Sequence, residues 1–345
     1  MKFNFCTLFD SYYLTRGIAL YRSLELHCED FHIYIFAFDD KSFEILKRLN
    51  LSHASIISLK DFENEDLIRV KPSRTIAEYC WTCTASTIWY SINNFNLDHC
   101  TYLDADMLFF SSPSPIYEEI GDNSIGITPH NFSSELKSSE IYGKYCVQFT
   151  YFKNDVDGLK ALNWWRNSCI EWCFAKMEDS KYGDQKYLDY FEGNFNKVYV
   201  ISNVGAGVAP WNISKYHIES IENSIIIESK GETNKKNQLI FYHYQGLKFH
   251  EKGNDIISEP SLLKISDAGL KYIYEPYINQ LIAIKNKIEG NTVIHKKVVF
   301  KRKLINSIGI FFRVKLKSIN LIRVLHYFFK QSRYNQPKNI GGQIN

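Results

Sequence analysis

The sequence predicts an α/β fold built on an open, mostly parallel sheet. From the first residues onward, short and continuously apolar runs alternate with longer segments of helical periodicity. This alternation is typical of sheets whose parallel strands are connected by helices that cover both faces. With 345 residues, 45% of them hydrophobic, the chain suits one large domain or two ordinary ones. Such sheets bind ligands beyond the carboxyl ends of their strands, so polar residues that follow a strand are the first candidates for a site.

Each predicted element follows from its own pattern. Continuous apolar runs bounded by polar or turn residues predict buried strands, whereas apolar residues repeated every three or four positions predict helices. In the first half of the chain we expect strand 3–9, a helix through Leu24, strand Phe31–Phe38, helix Ser42–Leu49 capped by Asp40 or Ser42, strand His53–Leu59, helix Arg74–Phe95 and strand Cys100–Phe110. In the second half we expect strand Ser124–Pro129, helix Leu159–Glu178, and strands Lys197–Ile201 and Leu239–Tyr244.

Charge is distributed unevenly along the chain. The net charge is +3, with 41 Lys and Arg against 38 Asp and Glu, but the segment 291–345 carries +12 and no acidic residue, which leaves −9 for residues 1–290. We therefore expect a globular domain at 1–290 and a basic tail at 291–345. Within the tail, Leu304–Lys330 places apolar side chains along one helical stripe and basic ones on another side, and the polar end from about Gln331 is expected to be disordered.

The tail is expected to bind a membrane surface. A basic amphipathic helix is typical of segments that lie in the membrane plane and are attracted to anionic lipid. We expect 296–330 to bind an anionic membrane surface in this way, with packing on the acidic body or a dimer contact as alternatives. No other feature of the sequence resembles a nucleic-acid-binding module, so no nucleic acid partner is expected.

The expected location is cytoplasmic, peripheral on the inner face of the cytoplasmic membrane. The apolar run Phe3–Phe9 contains polar residues and is stopped by Asp10, so no signal peptide is expected. No stretch of about 18 uncharged apolar residues is present to span a bilayer. The cysteines are too sparse for a disulfide scaffold and are expected to be reduced: Cys6, Cys28, Cys80, Cys83, Cys100, Cys146, Cys169 and Cys173.

The most informative segment contains two aspartates in an apolar run that ends at a Pro/Ser-rich turn. Asp104 and Asp106 are separated by one residue, so on a strand their side chains would share a face. Two adjacent carboxylates repel each other unless a cation lies between them, and Mg²⁺ and Mn²⁺ favour such oxygen ligands. The pattern therefore favours a metal site over a pair of solvated turn carboxylates.

A second segment, Phe241–Lys248, combines three chemical functions. His243 ends an apolar strand and offers a neutral nitrogen ligand that suits Mn²⁺ better than Mg²⁺. Gly246 permits close approach of the backbone to a ligand, and Lys248 offers a cation for phosphate. A half-buried structural role is the alternative for His243 when it is considered alone.

Two further segments are less specific. Asp184 and Gln185 precede an aromatic helix, and Asp184 considered alone is a candidate N-cap. In Asn203–Asn212, Gly205 and Gly207 lack the pattern of a phosphate-binding loop, so a backbone bend is the simpler interpretation.

Taken together and in this order, the motifs resemble those of bacterial GT-A glycosyltransferases of family 8 and their relatives in surface-polysaccharide (LPS and capsule) synthesis. The resemblance covers roughly residues 3–250 and depends on four segments: Thr7–Tyr13 (TLFDSYY), Tyr102–Asp106 (YLDAD), Gly183–Leu188 (GDQKYL) and His243–Gly246 (HYQG). It implies a GT-A-type open mixed sheet flanked by helices, and a transferase that uses a nucleotide-diphosphate-sugar donor, UDP-linked, with retention at the anomeric carbon.

The resemblance also implies a role for individual residues. Asp104, Asp106 and His243 would be the protein ligands of Mn²⁺ or Mg²⁺, and Asp184 with Gln185 would be the catalytic pair beside the transferred hexose. The donor would be contacted by residues from four segments: Thr7, Asp10, Tyr13, Arg74, Trp81, Asp104, Gly246 and Lys248. Lys248 comes one residue earlier after Gly246 than in the family pattern.

The sequence thus predicts a metal-dependent glycosyltransferase whose acceptor is a glycan or a lipid-linked glycan. One alternative is a nucleotidyltransferase, which also uses paired aspartates and a cation on an α/β sheet. A triphosphate-binding basic loop near the first strand would favour that alternative, and Thr7–Arg16 lacks one. Another is a non-catalytic, membrane-associated glycan-binding protein on the same fold.

Overall fold

The computed structural model describes residues 2–231, 236–252, 255–259, 265–291 and 297–300. The chain divides into two units, Met1–Lys301 and Arg302–Asn345, and every described residue belongs to the first. The predicted tail helix Leu304–Lys330 lies outside the described residues. Among the described helices, none combines the length and apolar character that crossing a membrane requires.

The described unit alternates strands and helices as expected. The strands are β1 (Phe3–Phe9), β2 (Phe31–Ala37), β3 (Ala54–Ser58), β4 (His99–Leu103), β5 (Met107–Phe109), β6 (Ile125–Pro129), β7 (Tyr145–Lys153), β8 (Val198–Val200), β9 (Tyr216–Ile221), β10 (Ser224–Ser229), β11 (Lys236–Gln238), β12 (Phe241–His243), β13 (Lys248–Lys252), β14 (Asp255–Glu259) and β15 (Lys297–Phe300). The helices are α1 (Leu14–His27), α2 (Asp40–Leu49), α3 (Leu59–Phe62), α4 (Glu65–Val70), α5 (Ile76–Phe95), α6 (Ser114–Ile120), α7 (Val156–Glu171), α8 (Phe191–Asn194), α9 (Asp267–Gly269) and α10 (Glu275–Glu289).

Seven strands form the central sheet, in the order β3-β2-β1-β4-β7-β6-β8. All neighbouring pairs are parallel except the two that involve β7, which is antiparallel to both β4 and β6. The predicted open, mixed and mostly parallel sheet flanked by helices is therefore confirmed.

Both faces of the central sheet are buried, which explains the uninterrupted apolar runs of its strands. Along β1, Phe5 and Phe9 pack into one core beneath α1 and α10, whereas Cys6 and Leu8 pack into a second core beneath α5 and α7. Because successive side chains of a strand point to opposite faces, one apolar segment supplies both layers.

The acidic segment does not lie within a strand. The predicted strand Cys100–Phe110 is broken between β4 and β5, where the Met107 amide donates a hydrogen bond to the Asp104 carbonyl oxygen over 3.2 Å. The strand β5 then leaves the central sheet and pairs in antiparallel register with β12, with Met107 opposite His243. The expectation that strand alternation aligns Asp104 and Asp106 is wrong, because a turn presents both side chains.

Several element boundaries differ from the predictions. The cap of α2 is Asp39, whose carboxylate accepts from the Ser42 amide, rather than Asp40 or Ser42. The helix α7 runs over Val156–Glu171 instead of Leu159–Glu178, because Asp155 caps its start and Trp172 adopts extended backbone.

Two of the strands that have no counterpart in the predictions (β7, β9, β10, β11, β13, β14 and β15) bear on the site or on the tail. The first is β7, for which the sequence pattern predicts no strand. The second is β15, within the segment 291–345 assigned to a helical tail, where the β-branched Val298 and Val299 extend and pair in parallel with β14.

The segment Asn203–Asn212 is the backbone bend that its glycines suggested. A Cβ atom on Gly205 would lie 2.1 Å from the Gln238 carbonyl oxygen, and Gly207 has a φ of +80°. The bend thereby packs directly against the backbone that leads into β12, which carries His243.

We expect Gly205→Ala to lower the free energy of unfolding by about 1–3 kcal/mol, because the added methyl group would displace backbone rather than a flexible side chain. Gly193→Ala is the matched control, since no described atom lies within 4 Å of the position that an added Cβ would take, and a change within about 0.5 kcal/mol is expected there. Chemical denaturation of the full chain measures both values. Equal stability of the two variants would contradict the proposed close contact.

Candidate functional site

A cleft of about 700 Å³ lies beyond the carboxyl ends of β1 and β4. Most residues that the sequence singled out line it: Asp10, Tyr13, Trp81, Asp104, Asp106, Asp184, Gln185, His243 and Gly246. The structure therefore brings together segments that are up to about 240 residues apart in the chain. This is the edge of the sheet at which parallel α/β folds bind their ligands.

His243 lies between the two carboxylates of the acidic turn. Its Nε2 atom is 3.0 Å from Asp106 Oδ1 and 3.7 Å from Asp104 Oδ2. The position is fixed by backbone pairing, because β12 pairs with β5 and the Tyr244 amide donates to the Asp106 carbonyl oxygen over 2.8 Å. The carboxylates and the imidazole are thus held by one small antiparallel pair.

The other ring nitrogen of His243 is held by a residue from β7. The Oε1 atom of Gln148 lies 2.8 Å from His243 Nδ1 and accepts a hydrogen bond from the Nδ1–H group. An acceptor at Nδ1 leaves Nε2 to face the carboxylates, the orientation that metal-binding histidines commonly have. Burial disfavours the charged ring, but Asp106 and Asp104 outweigh it and hold the pKa of His243 well above its usual range.

The acidic groups of the cleft have unequal pKa values. Burial raises the pKa of Asp104 to about 6, against the opposing charge of His243. Burial alone would also raise the pKa of Asp106. The positive charges of His243 and Arg16 outweigh burial, so the pKa of Asp106 is lower than usual. Burial and the charge of Asp104 raise the pKa of Asp184 to about 7. Three carboxyl groups in one buried cleft are an unfavourable arrangement that a cation would relieve.

In the described part of the chain, one group of side chains meets the distance requirement for holding an ion jointly. It consists of Asp104, Cys146 and His243, whose ligand atoms lie within 4.8 Å of one another. Asp106 adds a carboxylate oxygen close to the same imidazole. These oxygen, nitrogen and sulfur donors fit a divalent transition metal. Sequence reasoning missed Cys146, because no local motif surrounds it.

Asp184 directly precedes a short 3₁₀ helix that begins at Gln185, and both residues line the cleft. The Trp165 indole donates to the Asp184 carbonyl oxygen over 3.0 Å, and Gln185 Nε2 donates to the Tyr142 carbonyl oxygen over 2.9 Å. The Asp184 carboxylate does not cap this helix, so the capping alternative is not supported. Asp184 is nevertheless buried at the cleft, where it also interacts with the Thr84 side chain.

An aromatic cluster forms another wall of the cleft. The rings of His130 and Phe132 are stacked at 4.6 Å, and Trp211 meets His130 edge-on at 5.0 Å. Burial and the charge of His243 lower the pKa of His130 to about 3, so this ring is neutral at physiological pH. Apolar rings with a few polar edges are typical of pockets that bind sugars and other small molecules.

Three predicted donor-binding residues do not line the cleft. Thr7 is fully buried within β1, and Lys248 is exposed on β13. The guanidinium of Arg74 stacks on Phe174 at 3.9 Å and donates to the carbonyl oxygen of Ile170, near the end of α7. The proposed contacts of Thr7, Arg74 and Lys248 with a donor stay predictions.

Arg16 is a buried cation that sequence reasoning did not select. Its guanidinium lies 4.7 Å from the centre of the Tyr13 ring and donates to the Leu247 carbonyl oxygen over 3.2 Å. Its charge contributes to the lowered pKa of Asp106. The only sequence signal is an arginine on the first helix, in an otherwise apolar run next to Gly17 and Ile18.

No protein-family model matches the chain. Its fold is similar to the crystal structure of the galactosyltransferase LgtC in complex with donor and acceptor sugar analogs, with a TM-score of 0.46 and 14% identity over 85% of this chain and 97% of LgtC. A likeness this distant assigns no activity. The mostly parallel sheet flanked by helices nevertheless agrees with the GT-A-type architecture that the sequence resemblance indicated.

Two curated bacterial proteins are similar in sequence, both described as uncharacterized proteins of Bacillus subtilis strain 168. YfnD is 29% identical over 289 residues, which cover 81% of this chain and 88% of YfnD. YfnF is 31% identical over 254 residues, which cover 71% of this chain and 82% of YfnF. On this identity and coverage, the chain belongs to the same protein family as YfnF.

Proposed function

We propose that the protein is a metal-dependent glycosyltransferase that moves a hexose from a UDP-linked donor to a glycan acceptor of a bacterial surface polysaccharide. The observation that carries this proposal is the convergence of Asp104, Asp106 and His243 in a cleft that also contains Asp184. The motif resemblance supports the reaction class, and the buried donor atoms support a cation. The cleft has a volume of about 700 Å³, which suits a small-molecule donor such as a nucleotide-sugar together with part of a sugar acceptor.

The acidic turn and His243 are the proposed holders of Mn²⁺ or Mg²⁺. A divalent cation bound there would neutralise the negative charge that develops on the departing nucleoside diphosphate. The protein's own contribution is to fix the donor atoms, through the β5–β12 pair and the hydrogen bond from His243 to Gln148. Fixed ligands avoid reorganisation during the reaction, which is the main advantage of a preformed electrostatic site.

The nucleoside end of the donor is assigned to the turn that follows β1. Asp10 Oδ1 accepts from the backbone amides of Tyr12 and Tyr13, which stiffens this turn at the cleft. The Arg16 guanidinium packs over the Tyr13 ring, 4.7 Å from its centre. A rigid aromatic ring beside a carboxylate suits a nucleobase and a ribose, which need stacking and hydroxyl recognition respectively.

We assign the sugar end of the donor, and the acceptor, to the part of the cleft lined by Asp184, Gln185 and the aromatic cluster. Asp184 and Gln185 would lie beside the transferred hexose, and the aromatic wall of His130, Phe132 and Trp211 would contact the acceptor. A carboxyl group whose pKa is raised to about 7 exchanges its proton near neutral pH, which suits a group that assists hydroxyl chemistry.

The first prediction concerns the acidic turn. With Mn²⁺ present, we expect slow hydrolysis of UDP-hexoses by the wild-type protein, and a loss of at least about a hundredfold in Asp106→Ala, because the variant removes a carboxylate next to His243. Release of UDP, measured across a panel of UDP-hexoses, gives the rate. Asp122→Ala is the control, since Asp122 is exposed and outside the cleft.

Three results would contradict this assignment. Equal rates in the wild type and Asp106→Ala would exclude the acidic turn from the reaction. Absence of donor binding with any divalent metal would contradict the transferase. Release of pyrophosphate from a nucleoside triphosphate, without UDP-hexose turnover, would favour the nucleotidyltransferase.

The second prediction concerns Asp184 and pH. The folded chain holds the Asp184 proton up to a pKa of about 7, whereas an unfolded chain loses it near pH 4. Ionisation of this group therefore destabilises the fold progressively as pH rises from about 4 through 7. Asp184→Asn cannot ionise, so we expect it to gain stability relative to the wild type at pH 8 compared with pH 5, by on the order of 2 kcal/mol.

Thermal denaturation at the two pH values, without added divalent metal, measures this difference. Asp122→Asn is the control, because an exposed carboxylate should show no such gain. A stability change for Asp184→Asn that is the same at pH 5 and pH 8 would show that Asp184 is not a buried acid with a raised pKa.

The proposed acceptor is a lipid-linked glycan, reached by docking of the tail on the inner face of the cytoplasmic membrane. Support comes from the charge of the sequence alone, with +12 in 291–345 and −9 in residues 1–290. Because β15 pairs with β14, a truncation at 290 would remove a strand of the described unit. Substitutions within 296–330 are therefore the cleaner test.

The third prediction is that the full chain floats with anionic phosphatidylglycerol vesicles and not with neutral phosphatidylcholine vesicles. The triple variant Arg313→Gln, Lys315→Gln, Lys317→Gln should bind at least about tenfold more weakly, since each basic residue near the surface contributes about 1 kcal/mol. The charge-matched control is Lys41→Gln, Lys47→Gln, Lys60→Gln, at exposed positions of the described unit. Unchanged flotation of the tail variant would contradict tail docking.

A further inference from the structure

A cysteine thiol lies beside the oxygen and nitrogen donors of the proposed metal centre. Cys146 is on β7, is 5% exposed and lines the cleft. Its Sγ atom, a carboxylate oxygen of Asp104 and a ring nitrogen of His243 lie within 4.8 Å of one another. The thiol is therefore placed where a ligand to the same ion would be.

Two side chains of β7 lie close to His243. Cys146 and Gln148 are two residues apart on β7, and atoms of both side chains lie close to the His243 ring. Gln148 accepts from His243 Nδ1 over 2.8 Å, which turns Nε2 away from Gln148. At Cys146, β7 pairs with Thr128 of β6 beside a register shift in that pair, so Sγ is carried by an irregular part of a strand rather than by a loop.

Two overlapping donor sets share Asp104 and His243. The first, completed by Asp106, consists of two oxygens and a nitrogen and suits Mn²⁺ or Mg²⁺. The second, completed by Cys146, consists of oxygen, nitrogen and sulfur. Thiolate is a soft ligand that binds Zn²⁺ and Co²⁺ well and contributes little to Mg²⁺. Donor atoms on one tetrahedral zinc ion lie roughly 3.5 Å apart, so the second set needs to contract by roughly an ångström.

We propose that Cys146 is a metal ligand and that the centre binds Zn²⁺ and Co²⁺ through its thiolate, more tightly than it binds Mg²⁺ or Mn²⁺. The proposal rests on the metal centre of the proposed function and extends it by naming a sulfur ligand. In the ligation step the Cys146 thiol and the protonated His243 ring each release one proton to the solvent as the sulfur–metal and nitrogen–metal bonds form, which leaves a negative thiolate ligand and a neutral imidazole ligand. Neither oxidation nor reduction takes place.

The closing experiment is absorption spectroscopy of the full chain titrated with Co²⁺. We expect the weak visible bands of bound Co²⁺ and, in the near ultraviolet, the sulfur-to-cobalt charge-transfer band that only a thiolate ligand produces. Cys146→Ser should lose the charge-transfer band, and its affinity for Zn²⁺ in competition with Co²⁺ should fall about tenfold or more. Its affinity for Mn²⁺ should change by less than about twofold, because the hard donor set is intact.

Cys80→Ser is the matched control. Cys80 also lines the cleft, but it does not belong to the group formed with Asp104 and His243. We expect this variant to keep both the charge-transfer band and the affinity for Zn²⁺. A proton-release measurement gives an independent readout: binding of Zn²⁺ should release about one proton more from the wild type than from Cys146→Ser.

The outcomes separate this proposal from the function on which it rests. Visible Co²⁺ bands without a charge-transfer band in the wild type would overturn sulfur ligation and leave the metal centre standing, and this result does not depend on the folding of any variant. A band that persists in Cys146→Ser would also overturn it. No Co²⁺, Zn²⁺ or Mn²⁺ binding to the wild type would overturn both the sulfur ligand and the metal centre.

Discussion

The candidate site depends on one interaction, the contact of a buried imidazole with the carboxylates of the turn between β4 and β5. His243 Nε2 is 3.0 Å from Asp106 and 3.7 Å from Asp104, and its Nδ1 is fixed by Gln148. Each partner is contributed by a different strand or turn, so the contact forms only when β4, β7 and β12 are all in place. It couples the central sheet to the small β5–β12 pair, and it gives the buried acids a close titratable cation.

That contact does not balance the charge of the cleft. Asp184 is a third buried carboxyl, and its proximity to Asp104 contributes to a pKa of about 7. Arg16 is buried nearby, but its guanidinium is used to hold the Leu247 carbonyl oxygen and to stack on Tyr13. A fold that concentrates acids in this way is less stable than one that does not, which is the usual signature of a site selected for binding rather than for stability.

The sequence predicted the parts of this arrangement that depend on local pattern. The buried strands β1 and β2 follow from continuous apolar runs, and the acidic pair and His243 were selected by residue type and by their positions at the ends of apolar segments. Gln148 and Cys146 were not selected, because what makes them important is their position relative to His243, about 95 residues away along the chain. Lys248 was selected from a motif, yet it lies at an exposed position on β13 and does not line the cleft. Spacing along the chain encodes neighbours on one element, whereas contacts between β7 and β12 are encoded only by the packing of the whole unit.

Charged and aromatic side chains adjoin each other in the cleft, since Trp211 meets the His243 ring edge-on at 5.4 Å, and this combination bears on what the cleft can hold. The ionisable groups Asp104, Asp106 and His243 lie together, and beyond them His130 is kept neutral by a pKa lowered to about 3. Burial is the main cause of this lowered pKa, and the charge that the acidic turn fixes on His243 adds to it, so the aromatic wall stays neutral. A ligand that matches this pattern carries its own charge at one end and neutral, hydroxyl-rich rings at the other. A nucleotide-sugar beside a glycan has that distribution, whereas a nucleoside triphosphate alone would leave the aromatic wall without a partner.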